Sequence, residues 1–104
     1  MLIVTTDDVP GKGVTEVKGL VQGSTVEAKN IGHDIGAGIK NLIGGEIDDY
    51  SGLMKKARHI AVKRMIREAE ERGANAIVGM RYQTSEIMSM ASEVIAYGTA
   101  VVLE

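Results

Sequence analysis

Gly73-Ala-Asn-Ala-Ile-Val-Gly-Met-Arg-Tyr82 and Glu93-Val-Ile-Ala-Tyr-Gly-Thr-Ala-Val-Val-Leu103 decide the fold. Gly73 follows a long helical pattern and is a natural residue for the left-handed turn that ends a helix. Ala76 to Thr84 and Glu93 to Leu103 then read as two strands of a hairpin. In the second strand, Ile95, Tyr97, Thr99, Val101 and Leu103 share one face, and Val94, Ala96, Gly98, Ala100 and Val102 share the other. Strands that are apolar on both faces lie inside a sheet with cover above and below. If the second face meets a neighbouring subunit, a lysine at Ala100 or Val102 breaks the assembly.

Working outward, the segment from Ser51 to Arg72 reads as the principal helix. Ser51 is its expected N-cap, with Asp48 and Asp49 where the helix dipole favours negative charge. Its apolar positions, among them Leu53, Ala57, Ile60, Ala61, Met65, Ile66 and Ala69, cover more than the ~100° stripe needed to pack on one sheet. The surplus predicts a second contact. Ile31 to Ile43 has helical spacing but contains Gly32, Gly36 and Gly38, each weakening an isolated helix by about 1 kcal/mol relative to Ala. Gly36-Ala-Gly-Ile-Lys-Asn41 begins like a dinucleotide fingerprint, but it lacks the third glycine and the strand-to-helix turn, so a packing role is expected.

Val14 to Val26 is a long strand. Val17, Gly19, Val21, Gly23 and Thr25 fall on one parity, expected to face the helices, and the glycines four apart predict a bend or a very close helix. Met1 to Thr5 is a short apolar strand, followed by a loop at Pro10. The expected fold class is α+β: a two-layer, antiparallel sheet of β-α-β-β type, two helices on one face, and an extra short strand. The final strand inserts between its neighbours, antiparallel to both, if the crossover is right-handed. With helices on one face only, the other needs an outside partner, so the chain is expected to be a homo-oligomer.

At 104 residues the chain, 1–104, is expected to be a single domain. A chain of this size buries roughly 60–70% of its unfolded surface. Phe, Trp and Cys are absent and there are 13 glycines, so the core is built from small aliphatic residues and Met. Lack of cysteine removes thiolate nucleophiles and the usual zinc and iron–sulfur ligand sets. A net charge of −2 offers no case for nucleic acid. The start, Met1-Leu-Ile-Val-Thr-Thr-Asp-Asp, lacks the basic, longer apolar pattern of a signal peptide. The apolar run Val94–Leu103 is far short of the ~18–20 residues of a membrane span. A cytoplasmic location is the resulting expectation.

Val17-Lys-Gly-Leu-Val-Gln-Gly23, Asp34-Ile-Gly-Ala-Gly-Ile-Lys-Asn-Leu-Ile-Gly-Gly-Glu46, Tyr50, Ala57-Arg58, Gly73-Ala-Asn-Ala-Ile-Val-Gly79 and Glu93-Val-Ile-Ala-Tyr-Gly-Thr-Ala-Val101 together resemble the YbjQ-like family of small bacterial proteins. The resemblance covers nearly the whole chain. It implies a dodecin-like β-α-β-β subunit with added strands, assembled as a ring, a pentamer. It also implies no established activity, and a heavy-metal-binding label that a cysteine-free chain with two histidines supports poorly.

Five candidate sites follow. His33 and Asp34, with Glu46, Asp48 and Asp49, offer imidazole and carboxylates to a metal ion, the one candidate cofactor. Helix capping by the aspartates is the simpler account. Met88 and Met90 offer thioethers to a soft ion, or fill an irregular interface. Glycines 36 and 38 are treated above. The run from Met54 to Arg67 holds Lys55, Lys56, Arg58, Lys63, Arg64 and Arg67 without an acid; it suits phosphates or an anionic surface, or is a solvated helix face. Arg58 lies nearest the apolar arc, so a buried or inter-subunit ion pair is expected for it. Finally, Arg81, Glu93 and Tyr97 could line a pocket shared between subunits, or Arg81 could be the cross-strand partner of Glu93. No Ser-His-Asp, Cys-His or paired-carboxylate arrangement stands out. The leading reading is a non-catalytic binding or assembly module holding a small ligand or ion at subunit boundaries. A metal-binding protein and an enzyme with a shared site are the alternatives.

Overall fold

A computed structural model describes residues 1–28, 46–89 and 91–104. In chain order the elements are β1 (Leu2–Ile3), β2 (Val14–Ala28), α1 (Glu46–Glu71), β3 (Ala76–Met88) and β4 (Ala91–Leu103). The strands form a four-stranded sheet in the order β1-β3-β4-β2. As expected from its two-sided apolar character, β4 lies between β2 and β3, antiparallel to both. The sheet is mixed and not wholly antiparallel, because β1 pairs parallel with β3. Of the two helices expected, α1 is described; the glycine-rich segment from Ile31 to Ile43 lies outside the described residues.

α1 begins at Glu46, not near Ser51, so Ser51 sits inside the helix and is no cap. The other end matches its sequence signal. Gly73 has φ of 79°. Its N–H donates to Glu70 O at 3.0 Å and the N–H of Ala74 to Ala69 O at 3.1 Å. That is the double closure of a glycine-terminated helix.

α1 packs on β2 and β4 through Ala57, Ala61, Met65 and Ala69, all fully buried against Val21, Val94, Ala96 and Ala100. Alanine at three of these four positions lets the helix axis come close to the sheet. Gly23 takes this furthest: a Cβ there would run into the carbonyl oxygen of Ala61 and the amide nitrogen of Met65. The close helix approach expected of this strand is therefore real at Gly23. The surplus apolar residues Leu53, Ile60, Val62 and Ile66 line the flanks of α1, half-buried.

β2 breaks its own parity. Val17 pairs with Val101 and Gly19 with Ala100, which leaves Lys18 as an extra residue in a bulge. Gly19, Val21, Gly23 and Thr25 face α1 as expected, but the bulge turns Val17 to the opposite face, where it is 65% exposed. Gly19 adopts φ of 99°. Nη1 of Arg72 holds the bulge by donating to Lys18 O at 3.3 Å and Leu20 O at 2.7 Å.

The face opposite α1 is partly covered by the chain itself. After β1 the chain continues along β3, with Val4 N–H to Ile77 O at 2.9 Å and Gly79 N–H to Thr6 O at 2.8 Å. Val4 and Val9 then pack over Ala76, Val78, Val101 and Leu103. This strap covers one end of the face. Among the described residues nothing covers the other end, and β2–β4 run out past the covering elements: the extents are 56 × 23 × 17 Å. The radius of gyration is 17.3 Å, against about 13 Å for a compact chain of this length.

Candidate functional site: an open sheet face and a basic groove

Pairing register determines what shares the open face. Glu93, Ile95, Tyr97 and Thr99 of β4 lie opposite Val26, Ser24, Gln22 and Leu20 of β2. On the other side they lie opposite Ser85, Gln83, Arg81 and Val78 of β3. Leu20 is 62% and Val26 53% exposed, while the β4 residues between the flanking strands are half-buried. The Ala100 parity packs on α1 within the same chain, so the open face is the Tyr97 parity and not the parity of Ala100 and Val102 on which a neighbour was expected.

Arg81 and Tyr97 are direct cross-strand neighbours. Glu93 is four residues further along the same face, about 13 Å from Tyr97, and its partners are Ser85 and Val26. Arg81 is therefore not the cross-strand partner of Glu93. The register slips between Val78 and Arg81, and Nη1 of Arg81 donates instead to Thr5 O at 2.9 Å and Met80 O at 2.8 Å. The guanidinium ties the N-terminal strap to β3.

The second feature is a solvent-open groove of about 660 Å³ between α1 and the outer part of β3. Lys55, Lys56, Arg58 and His59 line one wall, Tyr82 the other, and Gly52 one end. Tyr82 lies opposite Ala96, on the helix side of the sheet, yet is 47% exposed because α1 does not close over it. The ion pairs of α1 among the described residues are at its other end: Arg72 with Glu68 at 3.1 Å and Arg67 with Glu71 at 3.6 Å. Arg58 is half-buried in the groove wall and makes no ion pair with a described residue; the buried or inter-subunit pair expected for it would need a partner beyond these. The basic run was visible in the sequence, but its pairing with Tyr82 was not, because Tyr82 arrives from β3 through the register.

The expected metal ligands divide. Glu46, Asp48 and Asp49 lie in the first turn of α1, and His33 and Asp34 lie outside the described residues. Among the described residues, no group of three or more His, Cys, Asp or Glu side chains could hold a metal ion. Met88 is exposed at the end of β3, and Met90 lies outside the described residues. No described helix is long and apolar enough to cross a membrane.

Comparison with known proteins places these features. The chain is 57% identical over 104 residues to a UPF0145 protein of Halalkalibacterium halodurans, covering 100% of this chain and 98% of the relative. It is 56% identical to a UPF0145 protein of Clostridium perfringens, with the same coverage of both chains. A protein of unknown function from Pediococcus pentosaceus, assigned to the DUF74 family, shares the fold at a TM-score of 0.64 and 17% identity, covering 100% of this chain and 98% of that one. A family model described as "Putative heavy-metal-binding" matches residues 1–104, and with these relatives it shows that the chain belongs to the YbjQ family.

Proposed function

We propose that this chain is a non-catalytic homo-oligomeric module, its subunits closing into a ring by covering one another's open sheet faces. The observation that supports this is the exposure of Leu20, Val26 and Val17 beside half-buried Ile95 and Tyr97. Large apolar side chains exposed together on a β-sheet face mark an interaction site, and a ring leaves no copy with this surface in water. The extended shape agrees, since a 56 Å subunit presents more surface than its own core can shelter. The subunit count of five comes from the family resemblance, and a small ligand or ion at the boundaries would sit near Arg81 and Tyr97. Native mass spectrometry tests the reading. A pentamer that releases a bound small molecule on activation agrees with it, and a folded single chain at micromolar concentration ends it.

The family description favours a second reading, heavy-metal binding through His33, Asp34, Glu46, Asp48 and Asp49. The donor set is hard and thiolate-free, which fits a soft heavy metal poorly. Equilibrium dialysis against Zn(II), Cu(I) and Ni(II) separates the two readings. An ion retained by the native chain and lost in His33→Ala supports metal binding; no retained ion rejects it.

A further inference from the structure

We propose that the groove between α1 and β3 binds the phosphoryl group of a small soluble ligand. Lys55, Lys56, Arg58 and His59 fall within five residues of α1, on either side of the buried Ala57, and line one wall. Helix neighbours lie three and four residues away. For these four residues every such neighbour from Ser51 to Lys63 is neutral or basic. No described acidic side chain forms an ion pair with them either. Among the described residues their charge is thus not matched by an acid, whereas Arg67 and Arg72 are matched by Glu71 and Glu68.

The opposite wall supplies chemistry that a merely solvated helix face lacks. Tyr82 brings a hydroxyl donor and an aromatic face into the same groove. Lysine and arginine N–H groups and a phenol O–H thus line one groove, a set of donors that suits a phosphate oxygen cluster. The ring can take a flat or cationic part of the same ligand. At the groove's end stands Gly52, where an added Cβ would meet no described atom within 4 Å. Packing among the described residues therefore does not ask for glycine at this position. The proposal does not rest on ring formation, because one chain builds both walls.

The experiment is an amide NMR titration of the full chain with inorganic pyrophosphate. Saturable shifts confined to residues 52–62 and Tyr82, weakened by salt, are expected. The double variant K55Q/R58Q should lose about tenfold or more in affinity while keeping the melting temperature and assembly state of the parent. The double variant K12Q/K18Q, which removes lysines outside the groove, should bind as the parent does. Shifts scattered over Lys12, Lys18 and Lys63, or undiminished binding by K55Q/R58Q, would overturn the assignment. So would co-sedimentation with phosphatidylglycerol vesicles in the absence of any localised pyrophosphate shift, since that reports a surface charge effect. Assembly is read separately by light scattering, so failure of the ring and failure of the groove are distinguishable.

Discussion

Asn75 and Leu103 exchange two hydrogen bonds: Nδ2 of Asn75 donates to Leu103 O at 3.0 Å, and Leu103 N–H donates to Oδ1 of Asn75 at 2.8 Å. The side-chain amide thereby continues the ladder of β3 past its first residue and closes the last residue of β4. Asn75→Ala leaves both Leu103 backbone groups without these partners, at a cost of about 1–3 kcal/mol. Asn75→Asp keeps the acceptor but sets a carboxylate oxygen against a carbonyl, so it should cost at least as much. Urea midpoints measured at constant slope check both; an unshifted midpoint for Asn75→Ala would show that water replaces the amide.

The contact of Gly23 with α1 yields a stronger expectation. The atoms that an added methyl would meet belong to the Ala61 and Met65 backbone and to Arg64 Cβ. None is the free end of a flexible side chain, so relief requires moving the helix off the sheet. Gly23→Ala should destabilise by about 3 kcal/mol, the upper range for overpacking. Gly52→Ala provides the contrast. Its methyl enters open space among the described atoms, and alanine is favoured over glycine within a helix by about 1 kcal/mol. Thermal unfolding should therefore rank Gly52→Ala above the parent and Gly23→Ala below it. The reverse ranking would refute the placement of α1.

Much of this framework could be read directly from residues. Gly73 marked the end of α1, the two-sided apolar run marked β4 as interior, and Gly23 marked a close approach. Each is a local rule that surroundings seldom override. The misreadings have a common physical origin in broken period. A parity count along β2 assumes one residue per step, and the extra residue at Lys18 inverted Val17. A slip between Val78 and Arg81 likewise separated Arg81 from Glu93. The strap was half legible: Val4 falls in the expected strand Met1 to Thr5, whereas Val9, a lone valine beside Pro10, carries no periodic signal. The groove was half legible: its basic wall lies in one continuous run, whereas Tyr82 joins it only through pairing across the sheet.

The two faces of the sheet make opposite predictions for the same kind of substitution. Ala100 is fully buried against α1, so Ala100→Lys places an ammonium in the subunit's own core and should unfold the chain, at about 4 kcal/mol or more. Leu20 stands on the other face at 62% exposure. Leu20→Lys should change the stability of a lone subunit by no more than about 0.5 kcal/mol, yet it sets a charge where the proposed neighbour packs. Circular dichroism combined with light scattering distinguishes the cases. The Leu20→Lys chain is expected to keep its secondary structure and fall to the mass of a single subunit, and Ala100→Lys to lose structure. A Leu20→Lys chain that retains the parent mass would remove the Leu20–Tyr97 face from the interface, and with it the assembly proposed from that face.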